Sequence, residues 1–449
     1  MQNGSHSSAL VCRFRKFFLC GSRRSKASML LRAMLLIAAL APWSTNALAD
    51  SADPHEKWFS TEIEKYSSGI ADFFSKDSIA SRVIISSSFV PSLGRVLRRP
   101  AGGGDVKTCS GVLISPRHFL TAAHCACEAR GGTSFHSTEK ACLSANAPGD
   151  SETVVFLPTS GAVVKGEIIH LSPDFNISEN SRSKDGSRQG DLAIIELSSS
   201  VRYSPYELAV RDHGSTTPTR VIISAGFGRL SMTEESAREL GVPGEPLREG
   251  IAAMATVNLT PCSSEVVSSD ARCAFYSFRQ NRTPGAGQAA TCAGDSGGPL
   301  FERAPDNSLK LVGIASSRDS VGKDNCIVKD SIEAIYTAVE DHVEWLSKFR
   351  ADAKESLKPA LCREITLSVA SDGGQISVPV RNRRLTVSAS GVATQASGGF
   401  VDLKPSHEDL CVRPFGRRDV VACSIKGIDT FSVAAQHAGL VQFTVCDLE

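Results

Sequence analysis

Through the middle of the chain, apolar residues come in short runs separated by Gly, Pro and Ser. The runs are Gly111 to Ile114, Val154 to Leu157, Gly161 to His170, Leu192 to Leu197, Arg220 to Ser224 and Leu309 to Ala315. Runs this short, with turn-formers between them, predict the strands of an antiparallel double barrel. After Tyr336 the period lengthens. Val339, Val343, Trp345, Leu346 and Phe349 predict a closing helix. Residues 351–361 are a polar linker. From Cys362 the pattern becomes alternating, as in Ile365–Val369, Gln375–Val380 and Arg384–Ala389, and further runs follow at Val420–Ile425, Thr430–Ala434 and Leu440–Val445. That is about eight short strands, and it predicts a small β-sandwich-like domain over residues 362–449. Two long polar loops, Asn176–Gln189 and Arg229–Arg248, interrupt these runs.

The first 49 residues read differently. Arg and Lys crowd residues 13–32, an apolar stretch runs from Met34 to Ala41, and Ala47-Leu48-Ala49 fits the small-x-small cleavage rule. A secretory signal peptide over 1–49 is expected, with Met29 or Met34 as alternative starts. Its apolar stretch is too short for a stable membrane span. Residues 50–82 are polar with a weak apolar period and read as a propeptide. The destination is therefore outside the cytoplasm, secreted or periplasmic. Cleavage after Ala49 removes Cys12 and Cys20 from the fourteen cysteines and leaves an even number, which suits disulfides in an exported chain. No Cys-x-x-Cys occurs, so no metal site is expected, and no cofactor is implied. A net charge of +1 gives no reason to expect a nucleic-acid or membrane-surface partner.

Three segments carry chemistry. Thr-Ala-Ala-His-Cys ends at Cys125, Gly-Asp-Leu-Ala-Ile-Ile-Glu-Leu runs from Gly190 to Leu197, and Thr-Cys-Ala-Gly-Asp-Ser-Gly-Gly-Pro-Leu runs from Thr291 to Leu300. They supply His124, Asp191 and Ser296. A serine hydroxyl is a poor nucleophile at neutral pH. It needs an imidazole to take its proton, and the imidazole needs a carboxylate to fix its tautomer and stabilise its charged form. The order His, Asp, Ser distinguishes this constellation from the subtilisin and α/β-hydrolase orders. With their flanking residues, these segments resemble the chymotrypsin/trypsin family, over roughly Val83 to Arg350.

The resemblance implies an all-β fold: a chymotrypsin-like double six-stranded antiparallel β-barrel with a C-terminal helix, here followed by the small β-sandwich-like domain. It implies Ser296 as nucleophile, His124 as general base and then acid, and Asp191 as its orienting partner. Gly294 and Ser296 would supply the oxyanion N–H pair. It implies the disulfides Cys109–Cys125, Cys262–Cys273 and Cys292–Cys326. Cys127 and Cys142 have no family slot and are expected to pair with each other. Four cysteines in the last domain allow three pairings. Cys411–Cys423 with Cys362–Cys446 is the expectation from proximity. The family is activated by cleavage after a basic residue, and the new N-terminus then pairs with the Asp before the nucleophile, here Asp295. The family's interval, counted back from Cys109, lands on Val83, which follows Arg82. Ile85 and Ser86 stand where two glycines are usual.

The primary pocket departs from trypsin. Its floor position is Ala290, where members that cleave after Lys or Arg carry Asp, and an unpaired substrate cation there would be costly. Thr291 adds a hydroxyl. Ser316-Ser317-Arg318 aligns with the pocket wall, with Arg318 in place of a glycine. Three readings stand for Arg318: it pairs with an acidic substrate side chain, it points outward beside a small or apolar pocket, or it blocks the mouth. The leading function is a serine endopeptidase acting on protein or peptide substrates. One alternative is an inactive binding protein on a protease scaffold. Another is a protease delivered by a C-terminal domain that binds a surface or glycan ligand. Asn176, Asn258 and Asn281 lie in N-x-Ser/Thr sequons, which matter only in a glycosylating host.

Overall fold

The computed structural model describes residues 83–84, 90, 92–99, 105–126, 152–175, 189–202, 207–208, 221–228, 250, 252–257, 259–262, 269–277, 291–303, 308–320, 331–350, 361–369, 374–380, 384–393, 401–436 and 439–447. The expected signal peptide, the propeptide with Arg82, residues 351–360 of the linker, Ala290 and the Cys127, Cys142 and Cys326 positions lie outside these, and the last linker residue, Leu361, begins a strand.

Val83–Ile84 forms a short strand, β1. Six strands then close a barrel: β2 (Leu93–Arg99), β3 (Lys107–Leu113), β4 (His118–Thr121), β5 (Glu152–Leu157), β6 (Ala162–Leu171) and β7 (Ala193–Leu197), in the order β2-β3-β4-β7-β6-β5. All pairings are antiparallel, and the interior is filled by Val96, Phe119, Val155, Leu157, Ile195 and Leu197.

The second half is built from β8 (Glu207–Leu208), β9 (Val221–Gly226), β10 (Ala253–Val257), β11 (Leu259–Thr260), β12 (Ala271–Ser277), β13 (Pro299–Arg303), β14 (Leu309–Ser320) and β15 (Ser331–Ala338). A second six-stranded barrel is the expectation for this half. Among the described residues its strands instead run as one curled sheet, β1-β10-β9-β13-β14-β15-β12-β11, with β8 alongside β14. The chymotrypsin-like architecture holds, with a closed barrel facing a half-barrel. One apolar core joins the halves. It takes Leu93, Val112 and Leu120 from the first, and Ile223, Phe227, Phe301 and Ile314 from the second. The expected closing helix is short: a 3₁₀ turn, Val339–His342, leads into α2 (Val343–Ser347), a numbering in which the one-turn α1 is Ala123–Ala126. Beyond α2, the Phe349 ring packs 5.4 Å from His118 and 4.9 Å from His170, so the segment returns to the first barrel. No helix among the described residues is long and apolar enough to cross a membrane.

Eight more strands follow: β16 (Leu361–Val369), β17 (Gly374–Pro379), β18 (Leu385–Ala393), β19 (Asp402–Pro405), β20 (Cys411–Val412), β21 (Val420–Ile425), β22 (Thr430–Gln436) and β23 (Gly439–Asp447). They form a five-stranded sheet, β16-β23-β18-β21-β20, and a three-stranded sheet, β17-β22-β19. Ile376, Leu403, Val433 and Phe443 line a small space shared by the two sheets. Cys411 and Cys423 face each other across β20 and β21 and are bonded. Cys446 is disulfide-bonded, and its register partner is Cys362.

These strands are docked on the first barrel and on the residue before β10, within one compact unit. Phe156 of β5 packs on Val420 and Ala422 of β21. Ser388 Oγ donates to the Pro158 carbonyl at 3.2 Å, and the Ala252 N–H donates to Gln442 Oε1 at 2.8 Å. Arg95 of β2 is fully buried and faces Asp419 at 3.5 Å, and Arg417 holds the same carboxylate at 2.7 Å. Arg99 lies over the Phe415 ring at 4.5 Å. The strand β2 was not legible in the apolar pattern, because the Arg95 position is filled by a cation whose partner comes from the far end of the chain.

Candidate active site

The three segments that carry chemistry meet where the two halves join. His124 sits in α1, directly after β4, and the Cys109–Cys125 disulfide ties that turn to β3. Asp191 precedes β7, the neighbour of β4, so the two residues are adjacent by strand order. Asp191 is fully buried. Its Oδ1 accepts the His124 backbone N–H at 3.0 Å, and its Oδ2 lies 2.8 Å from His124 Nδ1. That contact assigns the proton to Nδ1 and leaves Nε2 as the acceptor, the tautomer a general base requires.

Ser316, expected in the pocket wall, also reaches the carboxylate: its hydroxyl donates to Asp191 Oδ2 at 2.5 Å, and the side chain is buried. The cause is local: the β14–β15 register shifts between Ala315 and Ser317, leaving Ser316 at a bulge. Bulges re-aim side chains in this way. Ser317 is half-buried on the same strand, and Arg318 pairs in register with Ala334. Thr291 is buried near the start of the serine loop.

Ser296 is half-buried in a tight loop that leads into β13. The loop is held from the first barrel by Ser110 of β3, which the sequence reading did not single out. The Ser110 N–H donates to the Ser296 carbonyl at 2.8 Å, and its Oγ donates to the Gly294 carbonyl at 2.8 Å. The Phe227 N–H donates to the same Oγ, also at 2.8 Å. Cys125 Sγ lies 3.7 Å from His124 Nε2 and 3.6 Å from the Ser296 carbonyl, which puts the histidine and the serine loop side by side. Gly294 has φ 92°, a backbone conformation that side chains disfavour. Among the described residues, no hydrogen bond engages the N–H of Gly294 or Ser296. Asp295 is buried, and its carboxylate accepts the N–H groups of Cys292 at 2.8 Å and Gly228 at 2.9 Å. The β1 residue Val83 pairs with Met254 on the edge of the same sheet.

Cys262 and Cys273 are bonded, closing the loop ahead of β12. His124, Cys109 and Cys125 bring three ligand-type atoms together, but the two sulfurs are spent on each other.

A buried carboxylate, an oriented imidazole and a serine loop thus meet between a closed barrel and a half-barrel. The trypsin family model matches residues 97–346, more than half of the chain, and the protein belongs to the trypsin family. Among curated relatives, a CLIP domain-containing serine protease B4 of Anopheles gambiae is 25% identical, covering 53% of this chain and 61% of the relative. A phenoloxidase-activating enzyme 1 of Spodoptera litura is also 25% identical, covering 53% and 58%. A glucanase inhibitor protein 2 of Phytophthora sojae is 24% identical, covering 60% and 80%. The chain thus spans about six tenths of the length of the first two.

Proposed function

We propose that this protein is an exported serine endopeptidase that hydrolyses peptide bonds through an acyl-enzyme on Ser296. The observation that carries the reading is the Asp191–His124 pair fixed beside the Ser296 loop. In the first step His124 Nε2 takes the proton from Ser296 Oγ as that oxygen attacks the substrate carbonyl. The Gly294 and Ser296 N–H groups receive the oxyanion, and each such donor is worth about 3 kcal/mol in the transition state. His124 then gives its proton to the leaving amine. Water, activated by the same imidazole, releases the acid and restores the serine.

Activation after Arg82 would free the Val83 amine. The reading is supported by β1, which already lies on the second sheet, and by Asp295, which is buried beside Gly228 with its charge directed to backbone donors. Export is supported by the disulfides at Cys109–Cys125, Cys262–Cys273 and Cys411–Cys423.

The pocket lacks a carboxylate at Ala290. Cleavage after Lys or Arg is therefore expected to be no faster than after small, apolar or acidic residues. A peptide library digested by the protein begun at Val83, with Ser296→Ala as control, tests both parts. Cuts absent from the control support the endopeptidase reading, and a dominant Lys/Arg signature would overturn the pocket reading. A second expectation concerns Ser316. Removing its hydroxyl leaves Asp191 one donor short, and a hydrogen bond to a charged group contributes about 1.5–3 kcal/mol. Ser316→Ala should lower kcat roughly tenfold with the substrate KM little changed. Steady-state kinetics check this.

The scaffold-only alternative draws on the Phytophthora sojae relative, whose name is that of an inhibitor. The chain here keeps His124, Asp191 and Ser296 in their expected segments, which favours hydrolysis.

A further inference from the structure

Asp191 is only as well placed as the backbone that carries it. Gly190, just before it, has φ 61°, and a Cβ there would lie 2.6 Å from the Asp174 carbonyl carbon and 2.7 Å from the Phe175 nitrogen. The Gly190 N–H donates to Asp270 Oδ2 at 2.9 Å. The same carboxylate oxygen lies 2.9 Å from His342 Nε2. The other ring nitrogen, Nδ1, faces Ser172 Oγ at 3.4 Å and Asp174 Oδ2 at 3.4 Å. Ser172 closes the circle, because its N–H donates to the Leu192 carbonyl at 3.0 Å. Gly190 and Leu192, the residues on either side of Asp191, are therefore both held by one cluster. Asp270, His342 and Ser172 are all buried, while the Asp174 side chain is about half exposed.

The cluster also crosses the molecule. Ser172, Gly190 and Asp191 belong to the first barrel, next to β6 and β7. Asp270 precedes β12 and His342 ends the 3₁₀ turn after β15, both on the second half. Asp270 is itself fixed there, its carbonyl accepting the Ala338 N–H at 2.8 Å. The candidate base pair and the candidate nucleophile sit on opposite halves, so their mutual alignment depends on how those halves are locked.

We propose that Asp270 and His342 form a second, buried carboxylate–imidazole pair, which positions Asp191 and locks the two halves of the active site in register. His342 Nε2 donates to Asp270, and Nδ1 faces both the Ser172 hydroxyl and the Asp174 carboxylate. Asp270 Oδ2 takes both that proton donor and the Gly190 N–H, which two lone pairs allow. These are positioning residues: neither touches substrate. The inference rests on the triad reading of Asp191, His124 and Ser296.

The test compares the full chain, cleaved to Val83, with His342→Leu, His342→Gln and Asp270→Asn. Gln retains an N–H donor near the Nε2 position, and Leu does not. Each is read as kcat and KM per Ser296 titrated with a fluorophosphonate, and by proton NMR for the low-field His124 Nδ1–H signal. Misplacement by about 1 Å costs on the order of 100-fold. His342→Leu and Asp270→Asn should thus lose roughly 10- to 100-fold in kcat at unchanged KM and shift or broaden the low-field signal, while His342→Gln recovers most of the rate. Folded variants that keep the parent kcat and the parent signal would overturn the proposal and leave the pair a purely stabilising one. Where His342→Leu does not fold, Asp270→Asn, of equal volume, decides by the same readouts. Absence of labelling in the parent would instead sink the hydrolase reading, and the NMR signal alone would then judge the positioning.

Discussion

Replacing His124 by alanine is expected to lower kcat/KM by about a million-fold, because base and nucleophile act as one unit. Among the described residues, the candidate groups beside the Ser296 loop are already engaged. Asp191 is spent on the His124 N–H and Nδ1 and on the Ser316 hydroxyl, and the nearby sulfurs of Cys109 and Cys125 are bonded to each other. The fold should survive, since His124 is partly exposed in a one-turn helix anchored by its neighbour Cys125. Asp191→Asn is expected to cost about 10⁴ in kcat, because an amide beside Nδ1 favours the wrong tautomer. Kinetics on a cleaved library peptide, with circular dichroism to confirm folding, check both. A His124→Ala protein within tenfold of the parent would contradict the triad.

The second large effect concerns stability. Asp419→Ala should destabilise the protein by about 3–5 kcal/mol, the usual result of leaving a buried charge without its partner. The Asp419 side chain is 2% exposed and faces Arg95, which is fully buried. Replacing both, as Arg95→Met with Asp419→Leu, should recover most of the loss, since apolar groups of similar size satisfy such sites. The pair also sets an acid limit. Burial alone would raise the Asp419 carboxyl; the Arg417 hydrogen bonds, and then the Arg95 and Arg417 charges, outweigh it and hold the group below the usual carboxylate range. A carboxyl depressed in the folded state stabilises the protein above its unfolded pKa of about 4, and that contribution is lost as pH falls through the lower folded value. Denaturant unfolding at pH 7 and pH 3 should show a steeper acid loss in the parent than in Asp419→Asn. Equal losses, or an Asp419→Ala protein as stable as the parent, would mean that the docked strands contribute little.

Such docking bears on the role of the last eight strands. A module that delivers a protease need only be tethered, whereas here Phe156, Arg95 and Ala252 of the trypsin-family body are each capped by residues beyond Leu361. Those contacts were not readable in the sequence, because nothing local to Arg95 announces a partner at Asp419. The same holds for Ser316, whose role follows from a bulge that becomes visible only once β14 and β15 are paired. It holds also for Asp270 and His342, two unremarkable polar positions that meet through the packing of the two halves. What was legible is local. His124, Asp191 and Ser296 each lie in a segment whose neighbours are expected at the same site, and the alternating run Gln375–Val380 announces β17 because Ile376, Val378 and Val380 are buried between more exposed neighbours. Four strands of the closed barrel followed from its short runs; β2, hidden by its arginines, and the four-residue β4 did not. In the second half, Arg220–Ser224 and Leu309–Ala315 were read as strands, and among the described residues they belong to one curled sheet.

The central claim is that Ser296 is an activated nucleophile. The most direct measurement is the intact mass of the chain begun at Val83 after treatment with a fluorophosphonate, beside the same chain carrying His124→Ala. One adduct per chain, located on Ser296 by peptide mapping and absent from the His124→Ala protein, is the expected result. A folded parent that takes no adduct, or one that labels equally without His124, would contradict it.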